Sequence, residues 1–385
     1  YNQLEKNLKE GHLQLSLASI SKTEAFPFLK QNILQTIHYS TGRDPWMAMS
    51  IETTQNAVDA ITHLHNNRAL FKKNKLPYQN KIFYEVCLYK ERHITYSIED
   101  HSGFKNLFSL LVEFGIPNFS QKNSPYSIGK MGNGVFTIYQ NAQKVIVQTR
   151  LLEDSSKVYL LTIIPVRNEQ NLIIDLQCKI ADISEITLAK LPNFVGTRLH
   201  VVMNPSDNVN ADLKQLKHVL KQTIASTNTK SALTPFIKLY FRENHQLINL
   251  NFDPLNPIKV LFQDSDSQLA IKTTPKEDML SMVTTGGIPF IPLQKLVETF
   301  RLLPINFYDI VTFGITLEIP TELFTPVQNR TEITLSENHQ KKIQTLLANV
   351  CYLMLFNKAF SLNQLDTCFY FYSSKGQSLE QIRLK

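Results

Sequence analysis

Glu52, Asn56 and Asp59 follow one another at spacings of four and three residues in the run Ile51-Glu52-Thr53-Thr54-Gln55-Asn56-Ala57-Val58-Asp59-Ala60. At 3.6 residues per turn, that spacing lines up carboxylate, amide and carboxylate on one face of a helix. Such a row can orient water or hold a divalent cation through oxygen, and the plain alternative is a solvated stripe. A second run, Ser97-Ile98-Glu99-Asp100-His101-Ser102-Gly103-Phe104, ends a strand-like stretch on an acid and continues with small residues. A carboxylate at the mouth of a sheet can accept a hydrogen bond from an adenine amino group, a polar contact that discriminates between bases better than apolar packing does. The same aspartate could instead be a turn former. A third run is Ser127-Ile128-Gly129-Lys130-Met131-Gly132-Asn133-Gly134-Val135-Phe136. Its glycines would let backbone N–H groups approach an anion. It lacks the Gly-Lys-Ser/Thr ending of a Walker loop and the strand-turn context of a dinucleotide fingerprint.

The elements that must position these groups can be read from the surrounding pattern. Gly42-Arg43-Asp44-Pro45 offers an Asp cap followed by Pro in the first turn, which predicts a helix from Pro45 to about Phe71. Two runs rich in aromatic and β-branched residues, 81–89 and 93–100, read as paired strands. Residues 100–133 read as loop and short helix, punctuated by glycine and proline, and could form a mobile lid. Strands at 145–151, 158–166, 172–180 and 197–203 complete a helix-plus-sheet domain over 41–205, preceded by a polar, loosely helical extension or strap over 1–40. Asn204-Pro205-Ser206-Asp207 reads as a break. A second α/β domain is expected over 206–385. It has a helix at 211–223, a hairpin at 236–252, strands near 259–262, 268–273 and 311–319, a Gly286-Gly287 turn and a helix at 293–302. A long helix from Ser336, its cap, to Phe360 closes it.

The chain has 385 residues, of which 43% are hydrophobic and 19% charged, a globular composition long enough for two domains. No apolar run approaches the roughly 20 residues of a membrane helix. The net charge of +7 is spread along the chain; it would suit a nucleic-acid partner, but short clusters such as Lys72-Lys73 read as solvated faces. Cys87, Cys178, Cys351 and Cys368 are far apart, so no disulfide framework or zinc spacing is indicated, and a reducing, cytoplasmic setting is expected. His63 and His65, two apart on a helix, diverge and make poor metal ligands. The chain opens at Tyr1 with no signal-like segment, as a piece of a longer protein would.

The order and spacing of the three chemical runs resemble the superfamily of DNA gyrase, the ninety-kilodalton heat-shock chaperone, histidine kinases and MutL, the Bergerat-fold ATPases. That family carries Glu, three residues, Asn, two residues, Asp-Ala; a strand ending Asp-x-Gly-x-Gly; a Gly-x-x-Gly-x-Gly lid; and a later strand with Gly-Thr, here Gly196-Thr197. The resemblance covers roughly residues 40–205. It implies an α+β fold with helices on one face of a mixed, largely antiparallel sheet, followed by a smaller α/β transducer-like domain. It also implies ATP and magnesium as ligands. Glu52 would activate water, and Asn56 would bind magnesium with Asp59 behind it. Asp100, Gly103 and Thr197 would form the adenine end, and Gly129, Lys130, Met131, Gly132, Asn133, Gly134 and Val135 would wrap the phosphates. Arg330, in a segment similar to phage rIIA-type relatives, and Lys295 are candidates for a γ-phosphate contact. After Asp100 the family pattern expects Gly-x-Gly, whereas this chain has His101-Ser102-Gly103. The expected behaviour is a slow ATPase that dimerises on binding nucleotide. Alternatives are a non-catalytic nucleotide-binding interaction protein with a protein partner, or a nucleic-acid clamp of the MutL or MORC kind.

Overall fold

A computed structural model describes residues 13–16, 34, 45–66, 79–89, 93–115, 136–204, 207–227, 237–248, 259–274, 279–320, 323, 325–326 and 333–356. The chain is α+β and divides into two compact units, Tyr1–Ile224 with Thr229–Leu250, and Ala225–Asn228 with Asn251–Lys385. In the first unit the elements run β1 (Leu13–Ser16), α1 (Pro45–Asn66), β2 (Lys81–Tyr89), β3 (His93–Asp100), α2 (Leu107–Gly115), α3 (Phe136–Asn141) and β4 (Ala142–Arg150). They continue with β5 (Val158–Arg167), β6 (Ile173–Asp182), α4 (Ser184–Lys190), β7 (Thr197–Met203), α5 (Val209–Ser226), β8 (Lys238–Glu243) and β9 (Gln246–Ile248). The nine strands form one mixed sheet in the order β1-β6-β5-β4-β7-β3-β2-β8-β9. Only the β2–β8 pairing is parallel.

Alternation fixes which face of this sheet is covered, because successive side chains on a strand point to opposite sides. Ile82, Tyr84 and Val86 of β2, Ile94, Tyr96 and Ile98 of β3, and Val145 and Val147 of β4 are all buried. The intervening residues of β2, from Lys81 to Cys87, are only half-buried. The face that carries these residues is therefore the covered one. α1 packs against β3 and α3, and hydroxyls bolt it to the sheet. Tyr96 Oη and Thr53 Oγ1 share a hydrogen bond at 2.7 Å, and Tyr84 donates to Thr54 Oγ1 at 3.0 Å. Thr53 and Thr54 pass the pattern on to the carbonyls of Met49 and Ser50. Burial raises both phenols far above their usual pKa, so they remain neutral donors.

The second unit contains β10 (Val260–Gln263), β11 (Ala270–Thr273), β12 (Met282–Thr285), β13 (Ile288–Pro292), α6 (Leu293–Phe300) and β14 (Ile315–Glu318). The two-residue strands β15 (Thr325–Pro326) and β16 (Ile333–Thr334) and the helix α7 (Glu337–Phe356) follow. Its five-stranded sheet has the order β10-β11-β14-β12-β13. Gly286 and Gly287, both at positive φ, make the β12–β13 turn, where a side chain would be strained. Glu318 accepts the Gly287 N–H at 3.0 Å and so ties that turn to β14. Leu293, Leu296 and Val297 of α6 and Ile343, Leu347 and Val350 of α7 meet Ile271, Val283 and Leu317 of the sheet in one apolar core. Ser336 caps α7 through the His339 N–H, as expected from its sequence.

Three features depart from the sequence reading. Residues 13–16 of the supposed loosely helical extension form a strand, paired antiparallel to β6. The boundary between units falls near residue 250 rather than at 205, because α5, β8 and β9 belong to the first unit and β8 extends its sheet beside β2. The stretch 282–292, read only as a turn, is a hairpin. Among the described residues no helix is long and apolar enough to cross a membrane.

Candidate functional site

Two groups of residues singled out from sequence can be followed in the structure: the row on α1, and the ends of β3, β4 and β7. Thr53 and Thr54 stand roughly 100° and 200° around α1 from Glu52, whereas Asn56 and Asp59 lie within roughly 40° of it. The acid–amide–acid row is therefore turned away from the sheet-facing hydroxyls. It is nevertheless enclosed: Glu52 is 1% and Asp59 5% exposed, with Asn56 half-buried. This is not a solvated stripe. His63 and His65, by contrast, are exposed at the end of the same helix.

Asp100 closes β3 on the same face as Tyr96 and Ile98 and is buried. Directly opposite it in the antiparallel register lies Thr197 of β7, and Thr149 of β4 is next in that row. The Thr149 and Thr197 hydroxyls hydrogen-bond at 2.9 Å. The result is a buried row of carboxylate, hydroxyl and hydroxyl across three strands. Asp100 Oδ1 accepts the Ser102 N–H at 2.8 Å and also the Ser102 hydroxyl. The turn-forming reading of this aspartate is thus correct for one of its oxygens.

Two glycines make the row possible. Gly196, at φ +92°, lies so close to β3 that an added Cβ would sit 1.8 Å from the Asp100 carbonyl oxygen. At Gly103 a Cβ would meet the Arg150 carbonyl oxygen at 2.5 Å. Backbone bonds stitch the three strand ends together: Arg150 N–H donates to Gly196 O at 3.1 Å and Leu152 N–H to Phe104 O at 2.9 Å. His101, which replaces the glycine of the family pattern, alternates to the opposite face of the sheet. There its ring lies 6.2 Å from that of Phe83, so the imidazole does not fill the space on the Asp100 side. Burial lowers its pKa below the usual histidine value.

No protein-family model matches the chain, and no curated protein matches it. The site rests on its own geometry.

Asp100 and Thr197, both singled out from sequence, are thus paired in one row with Thr149, and Gly103, also singled out, packs against the end of β4. Glu52, Asn56 and Asp59 share one enclosed helix face. Gly129, Lys130, Met131, Gly132, Asn133, Gly134, Val135 and Arg330 lie outside the described residues. Lys295 is half-buried on α6 of the second unit.

Sequence reasoning missed two arginines. Arg150, at the end of β4, is buried and donates to the carbonyls of Ser155 at 2.6 Å, Pro192 at 3.1 Å and Phe194 at 2.7 Å. A planar fork is suited to that task; it pins the segment that delivers Gly196 and Thr197. Arg167, at the end of β5, donates to the carbonyls of Tyr139 at 3.0 Å and Gln140 at 2.8 Å. These are last-turn carbonyls of α3, which a cationic donor satisfies. Burial lowers the pKa of both guanidiniums. The available signal was an arginine ending an apolar strand, but its backbone partners are visible only in three dimensions.

Proposed function

We propose that the first unit binds ATP with magnesium and hydrolyses it slowly, as a Bergerat-fold ATPase. The observation that carries the reading is the buried Asp100–Thr197–Thr149 row, closed by the tight approach of Gly196. An adenine ring needs such a row, with an acceptor for its amino group and hydroxyls that can donate or accept beside it. The Asp100 carboxylate is the group that would accept from the base.

The row on α1 fits the other end of a nucleotide. Magnesium takes oxygen ligands and holds few protein groups, which suits the Asn56 amide oxygen. Glu52, one turn earlier on that face, would orient water and take its proton. Asp59 would support Asn56 from the next turn. Residues 129–135 would surround the phosphates, as the resemblance implies. Phosphoryl transfer asks for positioning and charge neutralisation rather than covalent chemistry, and these groups supply both.

Calorimetry with magnesium and ATP tests the reading. Asp100→Asn would replace a carboxylate acceptor by an amide and set an –NH2 donor against the amino group of the base. Affinity should fall about 100-fold or more. Glu52→Ala should keep binding and lose about 100-fold in hydrolysis. Light scattering on the same samples reads whether nucleotide brings two copies together. Failure of the unaltered protein to bind ATP would overturn the proposal.

A further inference from the structure

On the opposite, half-open face of the first sheet, three side chains of different donor chemistry converge. Glu85 and Cys87 alternate onto that face of β2, one either side of the buried Val86. The third, His245, comes from the β8–β9 turn, 160 residues away in sequence. One donor atom from each, a carboxylate oxygen, a thiol sulfur and an imidazole nitrogen, all lie within 4.8 Å of one another.

The turn is fixed over β2 rather than merely close to it. Asn244 N–H donates to Val86 O at 3.0 Å, and Leu88 N–H donates to Asn244 Oδ1 at 3.1 Å. β8 pairs with β2 in parallel up to Glu243. Asn244 and His245 both have left-handed φ, +46° and +67°, the conformation a two-residue hairpin turn demands and one in which Asn-Gly is the favoured pair. Histidine in the glycine position costs backbone strain that a structural turn does not need. His245 Nδ1 lies 2.8 Å from Glu85 Oε1, although its side chain is 84% exposed.

We infer that Glu85, Cys87 and His245 form a binding site for a zinc-class divalent cation, with the fourth position open to water. A tetrahedral zinc ion, with ligands at roughly 2.0–2.3 Å, needs its donor atoms about 3.3–3.8 Å apart. Binding would therefore draw the three donors to that spacing by rotation of their side chains. The donor set selects the metal: thiolate and imidazole favour zinc or cobalt, whereas magnesium and calcium take oxygen. Binding releases the Cys87 thiol proton to solvent as the sulfur becomes a thiolate ligand. The site is independent of the proposed nucleotide site, which lies on the helix-covered face of the same sheet.

The chelator-treated 385-residue chain titrated with cobalt(II) should bind one equivalent and develop a thiolate-to-cobalt charge-transfer absorption, which zinc then bleaches by displacement. Cys87→Ser should abolish that absorption, and His245→Asn, which suits the left-handed turn and preserves it, should weaken binding at least tenfold. Cys178→Ser should leave both unchanged. Absence of the absorption in the unaltered protein, or its survival in Cys87→Ser, overturns the inference.

Discussion

Gly196 is the residue whose replacement has the most direct outcome. Its φ of +92° and the 1.8 Å approach of a hypothetical Cβ to the Asp100 carbonyl leave no room for alanine. Gly196→Ala should cost on the order of 3 kcal/mol, read from the urea midpoint, because both backbone strain and backbone collision act. Arg150→Ala removes the donor shared by three carbonyls and should cost about 1–3 kcal/mol. Arg150→Lys should recover only part of this, since one ammonium cannot reproduce the fork. Such roles explain what the sequence left unread. Glu52, Asn56, Asp59 and Asp100 were legible because their spacing is local. Arg150, Arg167 and His245 were not, because most of what they hold lies tens to more than a hundred residues away.

Among the elements, α3 is short and depends on its end. Arg167→Leu removes the cationic donor from the last-turn carbonyls of α3, and α3 amides should then exchange faster with solvent while β4 and β7 stay protected. The strands carry a pH signature of their own. His200 of β7 shares a hydrogen bond with Ser97 of β3 at 2.7 Å, and burial lowers its pKa, as it does for His101. A histidine with a depressed folded pKa favours the folded state fully above its unfolded value of about 6.5. That contribution is lost as the pH falls below about 6.5, because the unfolded chain takes the proton first. Urea midpoints should therefore drop between pH 7 and 5.5, and the double variant His101→Gln with His200→Gln should flatten the slope. Strands 81–89, 93–100 and 197–203 were readable to the residue from alternation and β-branched content. The β12–β13 hairpin was hidden by Pro289 and Pro292, which argue against a strand when read locally.

For the whole molecule, the late boundary between units makes a distinction that the earlier one would not. A chain ending at Leu250 retains β8 beside β2 and should unfold in one cooperative transition. A chain ending at Asn204 leaves β2 as an unpaired edge and should aggregate, as measured by sedimentation. The apparent break at Asn204-Pro205 misled because a parallel partner strand leaves no mark on the sequence next to it.

The floor beneath Asp100 also bears on the order in which the chain becomes itself. It exists only when three strand ends, near residues 100, 150 and 196, have met, and its contacts span sequence separations of 47 and 48 residues at Thr149 alone. Closing such loops is slow and is rewarded only at the end. During refolding, helical signal should therefore return before these three strand ends are joined, so that the proposed nucleotide binding would be the last property acquired.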